Sequence, residues 1–307
     1  MFFTILLALA PTAALIAMGQ ILRRIVVVQE TFWPQAERLV YFVLLPSLFF
    51  HGLATAHLSD LPVREMVLTL MLSTCAVAVV MVLSSPWLRL KGPQFTSVFQ
   101  GSVRFNNYIG VTAAQSLFGA PGVAMAAVSN AAIVPTVNIL CVLVFARFGA
   151  VKLSLRGIAR QLALNPLVLA CVAGIAMQML KLPMPPVAEP VLRSLGQASL
   201  PLGLLCVGAA LDFGSARRWL WPVAIASVAK FALMPAATLL MGHWLGLDGR
   251  AAVTALLFQT LPTASSSYIM ARQLGGDAPL MAGIVAVETV LAALATPVTM
   301  VVAGVHL

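Results

Sequence analysis

Apolar runs of about twenty residues recur from one end of this sequence to the other, separated by short polar connections, and that recurrence constrains everything else. Such a chain has no water along most of its length to satisfy backbone N–H and C=O groups. It must therefore pair them within helices, and the reading is an all-α polytopic membrane protein. Composition agrees: of 307 residues, 61% are hydrophobic and 9% charged, with a mean hydropathy of +1.01, far from the balance of a soluble globular domain.

Ten spans can be drawn, at about 2–22, 33–55, 65–88, 95–118, 122–146, 160–181, 187–211, 219–242, 251–272 and 279–303. The net charge of +9 does not form a nucleic-acid-binding patch, because the Lys and Arg residues fall in the loops. Eleven of them, including Arg23, Arg24, Arg147, Lys152, Arg156, Arg160, Arg217 and Arg218, occupy one alternate set of connections. Only Arg64, Lys181 and Arg250 occupy the other. By the positive-inside rule the first set is cytoplasmic and both termini face outward. The start of the chain, carrying Pro11 and no basic leader, reads as a first membrane helix. Cys75, Cys141, Cys171 and Cys206 lie inside apolar runs without metal or redox spacing, and no cofactor or metal is expected.

The longest polar connection, about 147–160, divides the sequence into two halves that resemble each other at offsets of 155 to 157 residues. Ala8-Leu9-Ala10-Pro11 recurs as Ala163-Leu164-Asn165-Pro166, Arg38 as Arg193, Pro46 as Pro201, and Trp87-Leu88 as Trp244-Leu245. Residues 1–150 and 151–307 each hold five spans, an odd number, so the second repeat lies upside down relative to the first.

Two spans are poor helices at their centres. Phe95–Phe118 contains Asn106-Asn107, and Ala251–Gln273 contains Pro262. About eleven residues flank each interruption, roughly half of a ~30 Å hydrocarbon core at ~1.5 Å per residue. Each reads as two half-helices meeting near the midplane, antiparallel and crossing at their breaks. Unwound backbone is tolerated there only where it is enclosed by protein or lines a cavity. The second halves, expected to start near Asn107 and Thr263, would point their N-terminal ends at the crossing and favour an anion.

Around the breaks, Asn106, Asn107, Pro262, Thr263, Ser265 and Gln259 are the candidate substrate contacts. Thr260, Ser266 and Ser267 read as helix-stabilising hydroxyls. Lys230 and Glu288 are costly in hydrocarbon and are expected to pair, either structurally or with Glu288 as a protonatable coupling residue. Arg104 is a candidate contact for a second carboxylate. Glu37, Arg38 and Arg193 read as interface anchors, and Asn130, Thr136 and Asn138 as bonding from span five to span four. Gly122, Ala126 and Asn130, spaced by four, form a small face for close packing.

With the ten-span inverted repeat, FNNYIG followed by LFGAPG, the Lys230–Pro235 spacing and LFQTLPTASSSYIMA make the chain resemble the auxin efflux carrier family. The resemblance implies a secondary carrier of small organic anions, such as malonate- or malate-like dicarboxylates or auxin-like acids, in a bacterial inner membrane. It implies an elevator motion of spans 3–5 and 8–10 against a homodimeric scaffold of spans 1, 2, 6 and 7, with proton or sodium as coupling ion and the lipid bilayer as solvent. Plant members carry a proline in both breaks; span four here has none, which argues against plant-like auxin specificity. The alternatives are a sodium-coupled symporter of the bile-acid or sodium–proton type and a membrane sensor without flux. An enzyme is not expected, as no HExxH, GxSxG or paired intramembrane aspartates occur.

Overall fold

A computed structural model describes residues 2–25, 28–55, 61–149, 164–211 and 219–304. Ala163 and the loop cations Lys152, Arg156, Arg160, Arg217 and Arg218 lie outside the described residues, as do positions 160–163 of the sixth drawn span. Among the described residues the fold is entirely helical, and six segments are long and apolar enough to cross a membrane: Phe32–Ala54, Val63–Ser84, Gly92–Phe148, Ala188–Ala210, Leu220–Leu245 and Ala278–Val302. It is a multi-pass membrane protein.

In chain order the helices are α1 (Phe2–Arg24), α2 (Phe32–Ala54), α3 (Val63–Ser84), α4 (Gly92–Val103), α5 (Asn107–Phe148), α6 (Pro166–Met179), α7 (Ala188–Ala210), α8 (Leu220–Leu245), α9 (Gly249–Gln259), α10 (Ser266–Leu274) and α11 (Ala278–Val302). Two of them widen into a π turn, at Val40–Leu44 in α2 and Ala229–Leu233 in α8. Each π turn is followed by a proline, Pro46 or Pro235, in the first turn of regular helix beyond it. Proline has no N–H to donate and its ring crowds the carbonyl four residues back, so a local widening relieves both problems. The Lys230–Pro235 spacing is thus the signature of a π turn, and it places Lys230 within it.

The drawn fourth span is interrupted as its sequence suggests. α4 ends at Val103, Arg104 is extended (φ −78°, ψ 160°), and helix resumes at Asn107. α5 then bends at Gly119, whose φ of 62° favours a residue without a Cβ, so that 107–118 and 120–148 are distinct rods. Gly122 lies against the Ala114 carbonyl, leaving no room for a side chain where the two rods fold together. Ala126 and Asn130, on the same small face, are buried.

The drawn ninth span is also interrupted, between Gln259 and Ser266, and helix resumes three residues later than expected. Its second half, α10, ends at the left-handed Gly275, and Asp277 caps α11 by accepting from the Leu280 N–H at 3.0 Å. Asp277 also fastens the start of α4, donating its N–H to the Pro93 carbonyl (3.0 Å) and accepting from the Ser97 hydroxyl (2.9 Å).

α1 packs on α7, where Gly19 and Gly208 bring the two backbones together, and α2 packs on α6 and α7. α3 packs on α8 and α5, α9 on α5, and α11 on α4, α8 and α10.

Candidate functional site

Both interruptions open onto one cavity of about 700 Å³ beside the N-terminal half of α2. Three helix starts line it: Asn107 of α5, Pro166 of α6 and Ser266 of α10. Two of these are capped by asparagines. Asn106 Oδ1 accepts from the Tyr108 and Ile109 N–H groups (3.1 and 3.3 Å), and Asn165 Oδ1 from those of Leu167 and Val168 (3.0 and 3.3 Å). The start of α10 receives no side-chain cap.

Among the described residues, Arg38 and Arg104 are the cations of the lining and Glu37 is its one acid. Arg104 donates to Asn138 Oδ1 at 2.9 Å, which fixes it across from α5, while its buried Nε has no partner among the described residues. Asn106 is 1% exposed and its Nδ2 likewise has no acceptor among those residues. Asn165 Nδ2 donates to the Tyr41 hydroxyl at 3.2 Å, and Ser265 Oγ donates to Glu37 Oε1 at 3.0 Å. Helix starts, two guanidinium groups and buried donors without acceptors together make a wall that would hold an anion.

Behind this wall lies a second polar layer, fully buried. Thr263 donates its backbone N–H to Glu288 Oε2 at 2.9 Å, and its hydroxyl reaches the Gln100 carbonyl (3.4 Å) and the Ser267 hydroxyl (3.2 Å). Glu288 therefore satisfies an amide that the break in span nine leaves without a helical acceptor. Gly101 of α4 is the close neighbour on the other side: a Cβ there would stand 3.3 Å from Glu288 Oε1.

Several expectations need correcting. Lys230 and Glu288 are both buried, but no ion pair forms within 4.0 Å; Lys230 Nζ has no hydrogen-bond partner among the described residues. The long Lys230 side chain issues from a π turn, whereas Glu288 is claimed by Thr263. Gln259 does not face the cavity: its Nε2 donates into α3, to Ser73 (3.0 Å), Thr74 (2.9 Å) and the Leu70 carbonyl (3.2 Å). Pro262 and Thr263 are buried within the break rather than on the cavity lining, whereas Asn106, Asn107, Ser265 and Arg104 are on it. Asn138 bonds to the fourth span, but Asn130 and Thr136 bond back to their own helix, at Ala126 and Ala132.

Glu37 and Arg38, expected as interface anchors, are cavity residues, and Tyr41, Tyr108 and Asn165 were not foreseen there. The one legible signal was Asn165-Pro166, a strong helix start inside a run drawn as continuous helix. Arg193 and His51 line a second cavity, of about 840 Å³, at the other end of α2.

Residues 5–300 match the family model described as membrane transport protein. A protein of Rhizobium meliloti described as "Putative malonate transporter" is 25% identical over 283 residues, covering 86% of this chain and 85% of that one. Interrupted helices around a cationic cavity and a family match along almost the whole sequence agree: the chain is a membrane transporter rather than an enzyme, and it belongs to the membrane transport protein family, that of the auxin efflux carriers.

Proposed function

We propose that this protein is a secondary carrier of small organic carboxylates, with the cavity between the two interrupted helices as its substrate site. One observation carries the reading. The starts of α5, α6 and α10 converge with Arg38 and Arg104 on a single cavity large enough for a small dicarboxylate. The relative described as a malonate transporter supports a short dicarboxylate as substrate. Asn106 Nδ2, Asn107 and Ser265 contact the anion, and Arg104 neutralises its second carboxylate.

The ten spans form a five-plus-five inverted repeat in a bacterial inner membrane, with both termini outside. α1, α2, α6 and α7 are the scaffold of a homodimer, and the helices around the breaks move against it as an elevator. The packing of α1 on α7 and of α2 on α6 and α7, and that of α3, α8, α9 and α11 with α4 and α5, supports this division. Glu288 and Lys230, buried behind the breaks, are the candidates for coupling transport to a proton or sodium gradient.

The test is uptake of labelled malonate into vesicles containing only this protein, under a proton gradient, a sodium gradient or neither. Accumulation driven by one gradient identifies the coupling ion. Binding of carboxylates without accumulation under any gradient would refute transport and leave a sensor; neither binding nor uptake of any short carboxylate would remove the site assignment.

A further inference from the structure

The uncapped start of α10 meets an unusual neighbour. An anion-binding wall would be expected to exclude acids, yet Glu37 of α2 reaches across to Ser265, the residue immediately before α10, and accepts its hydroxyl proton at 3.0 Å. α5 and α6 have their own asparagine caps, so the helix start left without a side-chain cap is the one whose preceding residue Glu37 engages. A second observation points to a ligand in the same cavity. Asn106 Nδ2, on the cavity lining and buried, has no acceptor among the described residues.

Resting on the substrate site proposed above, we infer that Glu37 is a built-in competitor of the substrate, a tethered carboxylate that shares Ser265 and the start of α10 with the incoming anion. Substrate binds by displacing it. The displaced Glu37 carboxylate, now beside an anion in a confined cavity, takes one proton from the water on the open side. One proton therefore enters the cavity with each anion and leaves when Glu37 returns to Ser265.

Among the described residues, the other charged and titratable groups facing Glu37 are few. Arg38 and Tyr41 share its helix, Arg104 comes from the break in span four, Tyr108 from α5 and Cys206 from α7. α6 and α10 contribute the neutral Asn165 and Ser265. Before substrate arrives, the hydrogen bond donated by Ser265 favours the ionised form. The anion's own charge shifts the balance toward the protonated form, because like charges within a few ångströms disfavour double ionisation.

The experiment uses the whole protein in vesicles and malonate as probe, comparing wild type with Glu37→Gln at pH about 6.5 and about 8, on either side of neutrality. Glutamine keeps the acceptor for Ser265 and removes the charge. The wild-type KM for malonate should rise by about fivefold or more toward the higher pH, and Glu37→Gln should hold a low KM at both. Malonate's own titration is common to both proteins and cancels in the comparison. An unchanged KM with the wild-type pH response, or a KM raised at both values, overturns the inference. If Glu37→Gln fails to assemble, the affinity of purified Glu37→Ala for malonate decides in the same way: tighter than wild type supports competition, equal or weaker refutes it. Wild-type protein that takes up no short dicarboxylate would sink the substrate site itself, an outcome distinct from normal wild-type uptake with an indifferent Glu37→Gln.

Discussion

Replacing Glu288 tests whether the buried layer behind the cavity holds the break in span nine together. In Glu288→Ala, the Thr263 N–H loses its 2.9 Å acceptor inside a fully buried region, and a donor stranded in this way costs about 1–3 kcal/mol. The same change removes the carboxylate whose charge acts on Lys230, itself 0% exposed and without a hydrogen-bond partner among the described residues. Stranding a buried charge costs about 3–5 kcal/mol when the pair is in contact, and less here because no nitrogen–oxygen distance falls within 4.0 Å. Glu288→Gln retains an oxygen for Thr263 and loses only the charge, so it should lie between wild type and Glu288→Ala. Lys230→Met combined with Glu288→Gln removes both charges and should recover most of the loss. Thermal unfolding of the purified variants reads this directly, at roughly 2 °C per kcal/mol for a chain of this size. Losses in the double variant that simply add those of Lys230→Met and Glu288→Gln would refute coupling between the two residues. In transport, Glu288→Gln should flatten the pH profile; an unaltered profile would leave Glu288 with a structural role alone.

Asn107→Ala removes a polar side chain at the start of α5 without touching the Asn106 cap, and should abolish malonate uptake while the thermal midpoint stays near wild type; normal uptake would count against the cavity. Gly122→Val drives a branched side chain into the Ala114 carbonyl and should prevent the two rods of α5 from folding together, read as loss of the monodisperse species on size exclusion.

Both breaks could be read from the sequence because their residues are poor helix formers in an otherwise apolar run. Asn106-Asn107 and Pro262 announce lost helical hydrogen bonds without any knowledge of the neighbours. The direction of a side chain on a helix that is apolar all round carries no such mark. Gln259 sits three residues before Pro262, but whether it faces the cavity or α3 depends on where α3 packs, and it faces α3. Glu37 misleads for the opposite reason: an acid beside an arginine near a span's beginning has the composition of an interface anchor, and only the arrival of α10 makes it a cavity residue. The expected pairing of Lys230 with Glu288 found two groups in the same buried layer but missed the amide that claims the carboxylate. That amide exists only because span nine is unwound at Thr263.

Lys230 also sets a schedule for biogenesis. α8 leaves the ribosome well before α11 has been made, so the lysine is presented to the insertion machinery with no carboxylate yet available to it, at a cost of about 2.5–3.5 kcal/mol for a cation at the centre of a helix. Glu288 joins the fold only with α11, so the buried polar layer that contains both residues cannot be completed until that helix has been made.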